Sequence, residues 1–292
     1  MKKILSDMMI LAGLLTAGAA INACSNDDNI DEPAVKTYKV KINASKNSNG
    51  LTRAIGFEDD ALVATWTATT DKVKVYTPGK GSNDYVGELT AQSSGVSTTL
   101  EGTWTTATPP TVGDWLMLAY PKTQITYAGQ VGTLADISAN FDYAEAIVEV
   151  VSGKGTGTDE IVTSEAVFDN LQSVVKFTLL SKADDLPLNA SSLTVRFKDS
   201  SDDDVLITSY DYATDARTYG EVTITPSGGA KSEIWAALSN DLSFFCSELD
   251  SVEPVTIIVT ATVGDDTYSC TQADVEFRNS KYYAITVRMT KQ

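Results

Sequence analysis

Histidine is absent from all 292 residues. That absence removes Ser-His-Asp and Cys-His catalysis and any zinc site built on imidazole. Cysteine is scarce: Cys24, Cys246 and Cys270 are the three present, and Cys246 with Cys270 cannot make a four-ligand site alone. Positive charge is short, with 22 lysines and arginines against 39 acidic residues and a net charge of −17. A chain so acidic does not grip nucleic acid through its phosphates. It is repelled by anionic lipid surfaces except through an anchor. No glycine-rich phosphate loop occurs, and no segment keeps a helical period over ten or more residues. No cofactor and no metal site is expected. Carboxylate pairs remain as candidates for hydrolysis, since glycosidases need only two; in so acidic a chain no pair stands out.

What is present begins with a targeting signal. Lys2 and Lys3 precede the apolar run Met8 to Ala20, and small residues lead to Ile21-Asn22-Ala23-Cys24. That order is a secretory signal over residues 1–23, too short to span a bilayer, which takes about 20 apolar residues. Cys24 stands where bacterial lipoproteins carry their lipidated cysteine. Residues 24–36 are polar and acidic through Asp27, Asp28, Asp31 and Glu32, and read as a tether directed to the cell exterior. Residues 1–23 carry +1 through Lys2, Lys3 and Asp7, so removing them takes the total from −17 to −18. An exported compartment permits a disulfide between Cys246 and Cys270. The alternative is two small buried apolar residues.

From Thr37 onward, short runs alternate with period two. Tyr38, Val40, Ile42 and Ala44 fall on one face of the first run, and Thr37, Lys39, Lys41 and Asn43 on the other, as in a strand with one buried face. Asp71 to Tyr76, Val174 to Leu179, Ser192 to Phe197, Glu221 to Thr225 and Lys281 to Met289 repeat the pattern. Trp115 to Tyr120 is apolar throughout and predicts a strand covered on both faces. Val255 to Val263 and Thr267 to Phe277 flank Gly264-Asp265-Asp266 and predict a hairpin. Ser164 to Asn170 is expected to form one helical turn. The fold class is all-β, with two tandem β-sandwiches over residues 37–165 and 166–292, joined after a hairpin loop at Gly153 to Thr158; one large sandwich or barrel is the alternative.

Several stretches in order carry a resemblance: Leu51-Thr52-Arg53-Ala54, Thr65-Trp66, Asp71 to Tyr76, Gly113 to Pro121, Phe141 to Ala146, Phe168 to Phe177 and Lys281 to Val287. Together they resemble fimbrillin-like proteins, lipoprotein pilus subunits, across nearly all of the chain after the signal. One departure is that Asn170 or Leu171 stands where the family often has a histidine. The resemblance implies two transthyretin-like sandwiches and attachment to the cell outer membrane, facing outward, through the lipid at Cys24. It also implies cleavage by an arginine-specific, trypsin-like protease between Arg53 and Ala54. Loss of the first strand then opens a groove that a strand from another pilus subunit fills. That reading fails if the first strand is locked inside a sheet with Arg53 inaccessible.

The physical basis is that exposed strand edges recruit strands, whose alternate side chains fill pockets. Four apolar anchors are worth at most about 6–12 kcal/mol against an association cost of about 4–15 kcal/mol, so a durable polymer needs a long, sealed strand. The runner-up is a monomeric surface lipoprotein that binds a glycan or host protein. Trp104 is the candidate stacking platform for a sugar, with Trp66 and Trp115 assigned to the core. Asp199 to Asp204 could present oxygens to Ca²⁺ but lacks EF-hand spacing and reads as a solvated acidic turn.

Overall fold

Period-two alternation is realised as strands nearly throughout. The computed structural model describes residues 35–46, 56–58, 61–63, 65–78, 83–152, 159–241 and 252–292. The signal, the tether, Cys24, Arg53, Ala54, the 153–158 loop and Cys246 lie outside the described residues.

The first half carries β1 (Lys36–Lys46), β2 (Gly56–Glu58), β3 (Ala61–Val63), β4 (Lys72–Pro78), β5 (Asn83–Ala91), β6 (Ser97–Thr106), β7 (Trp115–Tyr120), β8 (Gln124–Thr126), α1 (Leu134–Asn140), β9 (Ala144–Ser152), β10 (Glu160–Thr163) and β11 (Ala166–Asn170). In the order β6, β5, β4, β7, β9, β11, each strand pairs with the next, and β1 closes the ring between β11 and β6. Inside sit Val40, Ile42, Trp66, Val73, Leu100, Leu118, Val148 and Phe168.

The segment expected to turn as a helix at 164–170 is instead strand β11. Ala166, Phe168 and Asn170 are buried while Val167 and Asp169 are not, so a two-residue period wins once the segment lies beside β1 and β9. The expected boundary at 165/166 falls between β10 and β11, inside this first sheet; apart from the short β8, the strands of the second sheet begin after Asn170.

The second half carries β12 (Ser173–Ser181), β13 (Ser192–Lys198), β14 (Leu206–Asp211), β15 (Ala216–Tyr219), β16 (Glu221–Ile224), β17 (Glu233–Asn240), β18 (Val255–Val263), β19 (Asp266–Val275) and β20 (Tyr282–Lys291). Their order is β15-β14-β17-β12-β20-β19-β18-β13-β16. Folded over its own core of Phe177, Leu193, Val195, Phe197, Ile234 and Val259, this sheet is the second β-sandwich. The β18–β19 hairpin forms as expected: Val263 faces Asp266 across a two-residue turn in which Gly264 takes φ +60, where a side chain would be strained.

The two sandwiches share structure. β8 leaves the first half to pair with β14, and the Gln130 amide acts like a strand residue against β17, donating to the Ala237 carbonyl at 2.8 Å and accepting from its N–H at 2.7 Å. α1 follows, capped by Thr133, whose Oγ1 accepts from the Asp136 N–H at 3.2 Å. The second sandwich therefore covers one face of β7. This is why Leu116 to Ala119 are buried on both sides, as the apolar run predicts.

Candidate functional site at the first strand

β1 is the element on which the candidate site is built. Its alternation places Tyr38, Val40, Ile42 and Ala44 inward and Thr37, Lys39, Lys41 and Asn43 outward, the faces its sequence predicts. Along one flank it pairs antiparallel with β6 from Lys36↔Thr106 to Ser45↔Ser97. Along the other it runs parallel to β10 at Lys39 to Lys41 and to β11 at Ala44 to Lys46.

Inward neighbours on β6 are matched in size. Tyr38 lies opposite Trp104 and Ile42 opposite Leu100. Val40 lies opposite Gly102, where a Cβ would meet the Glu88 carbonyl oxygen at 2.4 Å and Leu89 Cδ2 at 2.9 Å. The glycine is there for close packing with β5. The outward face is held lightly. Thr37 and Thr105 hydroxyls lie 2.9 Å apart, Thr99 donates to Asn43 Oδ1 at 3.4 Å, and the Lys41–Glu101 pair at 3.7 Å is exposed on both sides, so it contributes little.

β1 thus sits in the interior of a closed sheet, not at a free edge. This corrects the picture of a strand whose loss bares one edge: its loss would bare two, those of β6 and of β10–β11, with buried Leu100 on one side of the trough and Ile161, Ala166 and Phe168 on the other. Of the two conditions that would defeat strand exchange, interior placement is met; the accessibility of Arg53 lies outside the described residues.

The tryptophans separate differently from expectation. Trp66 is 1% exposed and packs edge-on against Phe168 at 5.2 Å, as assigned. Trp104, the candidate sugar platform, is 5% exposed on β6, opposite Tyr38 and facing into the first core. Trp115, assigned to the core, is 55% exposed. The cover supplied by the second sandwich begins at Met117, the next residue on that face, so Trp115 joins exposed Ile147 and Val167 on the outer surface of β7, β9 and β11.

Asp199 to Asp204 do not converge on an empty site. Asp199 Oδ1 accepts from the Ser201 and Asp203 N–H groups at 2.8 and 2.9 Å. Both Asp204 oxygens are taken by Arg196 at 2.6 and 2.7 Å, and that hydrogen-bonded guanidinium holds the carboxyl below its ordinary range. Among the described residues no group of three or more metal-ligating side chains occurs. Cys270 is a half-buried free thiol on β19; its pairing with Cys246 falls outside the described residues. Asn170 is buried at the junction of the two sheets, where its carbonyl accepts from Ser280 Oγ at 2.6 Å.

Sequence reasoning missed Glu145. It lies on β9 opposite Ala119 and Asp169, facing the second sandwich beside a tyrosine group in which Tyr76 and Tyr212 rings stack 6.0 Å apart. Burial pushes its carboxyl up to about 8, opposed by the Tyr212 hydroxyl, which donates to Oε2 at 3.4 Å, and by the charge of Arg217. The only signal was a lone glutamate in the apolar run Ala144 to Val148.

No family model matches the chain, and no curated protein matches it. Among solved structures, a candidate cell adhesion protein from Bacteroides ovatus is 15% identical with a TM-score of 0.43, the alignment covering 87% of this chain and 95% of that one. A candidate cell adhesion protein from Bacteroides uniformis is 14% identical with a TM-score of 0.40, over 87% and 97%. The shaft pilin SpaA from Lactobacillus rhamnosus GG is 9% identical with a TM-score of 0.32, over 88% and 97%. No role for this chain follows from these likenesses.

Proposed function

We propose that this chain is a cell-surface, non-enzymatic adhesive subunit of a pilus, in which β1 is a provisional strand exchanged for one from a neighbouring subunit. Supporting this reading are the signal over residues 1–23 followed by Cys24, the ordered fimbrillin-like motifs, and one structural observation that carries the most weight: β1 alone closes the first ring. It is a single strand that precedes Arg53 in the sequence, and its withdrawal leaves an apolar trough between two strand edges. Lipidation at Cys24 tethers the precursor to the outer membrane, and an arginine-specific protease cuts at Arg53–Ala54.

Interior placement sets the order of events. A cut at Arg53 removes the covalent tie but none of the pairing on either flank, so a nicked chain keeps β1 seated. Release requires an incoming strand that replaces β1 residue by residue, which avoids ever exposing the whole trough. Mild trypsin treatment of the full chain, followed by size analysis and electron microscopy, tests this. The expected result is a nicked monomer that still holds its N-terminal fragment when dilute and forms dilution-resistant polymers when concentrated. N-terminal sequencing of surface-exposed protein should give Ala54; a mature species that always retains Thr37 to Ala44 refutes the assignment.

A second reading is favoured by the exposed Trp115 with Ile147 and Val167: a monomeric surface lipoprotein that stacks a sugar ring on the indole. It predicts glycan-array binding lost on Trp115→Ala and unchanged by trypsin. Pilus assembly predicts no dependence on that substitution.

A further inference from the structure

The outer face of the first sandwich is only partly covered. Tyr76 and Met117, neighbours across β4 and β7, are buried in the second core. Beyond them Val112, Trp115, Ile147, Val151 and Val167 are each about half exposed. Register brings these side chains together. Trp115 lies opposite Glu149 across β7 and β9. Ile147 and Val151 stand two residues to either side of Glu149, on the same face of β9. Val167 stands two residues before Asp169, which pairs with Glu145, and so falls beside Ile147. The Gly113 N–H donates to the Val150 carbonyl at 2.9 Å, which keeps the segment around Val112 at the Val151 end of β9. Glu149 is thus an exposed carboxylate between aliphatic neighbours, across from an exposed indole. Asp114, Glu165 and Asp169 are exposed around it, and no lysine or arginine occurs in β7, β9 or β11.

We propose that this patch binds a short cationic segment of a partner polypeptide, in which one arginine or lysine is flanked by aliphatic side chains. Arrangement, charge and size select that occupant. A cation laid over the Trp115 ring gains from the indole face. It also lies beside Glu149, since residues opposite each other on antiparallel strands have Cβ atoms about 5 Å apart. Ile147, Val151 and Val167 then receive the apolar side chains next to the cation. A neutral sugar would use the indole but gain little from the aliphatic side chains around it. A second copy of this chain, docked through the same face, would bring Asp114, Glu149, Glu165 and Asp169 against their own counterparts in a molecule of net charge −17, which opposes association. The five apolar side chains expose on the order of 500 Å², less than the roughly 800 Å² per partner of a stable protein–protein interface. That area suits a segment of a few residues, not a folded domain. This inference goes beyond the assembly reading and does not require β1 to leave; it places a polypeptide where the second reading places a sugar.

The test uses the full chain and a five-residue peptide, blocked at both ends, with a central arginine between isoleucines and valines. The comparison peptide carries citrulline, which keeps the shape and loses the charge. Binding is read by calorimetry and by quenching of tryptophan fluorescence. The arginine peptide should bind about five- to tenfold more tightly than the citrulline peptide, and high salt should narrow that margin. Glu149→Gln should reduce the margin to about threefold, the part owed to the indole. Trp115→Ala should weaken binding of the arginine peptide at least tenfold, and Trp115→Phe, which keeps a ring, should bind with intermediate affinity. Both side chains are exposed, so the urea midpoints of these variants should match the parent. Equal binding of the two peptides, no binding of either, or a margin that survives unchanged in Glu149→Gln and Trp115→Ala overturns the proposal. So does a dimer that dissociates on Trp115→Ala, which assigns the patch to a second copy, or a neutral oligosaccharide bound through Trp115 in place of the peptide, which assigns it to a sugar. All are read without trypsin, so they stand whether or not polymers form.

Discussion

Ile42→Asp is expected to unfold the first sandwich, whereas Asn43→Asp on the next residue leaves it intact. Ile42 is fully buried opposite Leu100, and an unpaired carboxylate there costs at least about 4 kcal/mol through lost apolar burial and desolvation. That is a large fraction of the roughly 5–15 kcal/mol that holds a domain together. Asn43 points outward and contributes one long hydrogen bond to Thr99, so its substitution should change stability by under about 0.5 kcal/mol. Urea unfolding of both variants checks the pair. Similar losses for the two would mean that β1 does not present its faces as described.

Glu145→Gln is expected to remove a pH dependence that the parent shows. The Glu145 carboxyl lies at about 8 when folded against an ordinary 4.5, so between those values the folded chain holds a proton that the unfolded chain has released. Stability from this group is therefore full below about 4.5 and is lost as pH rises through 8. Glutamine keeps an acceptor for the Tyr212 hydroxyl and carries no charge. At pH 8.5 the variant should exceed the parent by about 2–4 kcal/mol, and at pH 4 the two should match within about 1 kcal/mol. Urea melts at the two pH values read the difference directly. A parent whose stability does not fall relative to the variant over that interval contradicts the burial of this carboxylate.

Much of the fold was legible because a strand with one wet face writes its own pattern. In β1 the buried and exposed sets match the alternation residue by residue, and the β18–β19 hairpin follows from a glycine between two such runs. What was not legible depends on which element lies across the sheet. Trp104 and Trp115 both sit in strands, and nothing local says that the first faces into the closed sheet while the second sandwich stops just short of the other. The 164–170 segment is strand because β1 and β9 flank it, a relation spanning more than a hundred residues of sequence for β1. α1 was overlooked although Thr133-Leu134-Ala135-Asp136 carries a capping signal, because seven residues give too few turns for a helical period to show. A cleft between β19 and β20 left no trace in sequence, because only the divergence of the two strands opens it.

The central claim is that β1 is replaceable without unfolding what surrounds it. The direct measurement is exchange of a fluorescent peptide spanning residues 35–46 into the full chain, before and after mild trypsin, followed by size separation. The account predicts no uptake by intact chain, stoichiometric uptake after the cut with release of the native fragment, and an unchanged far-ultraviolet spectrum. Uptake that occurs equally without the cut, or a cut chain that never trades its first strand for the peptide at any concentration, would contradict it.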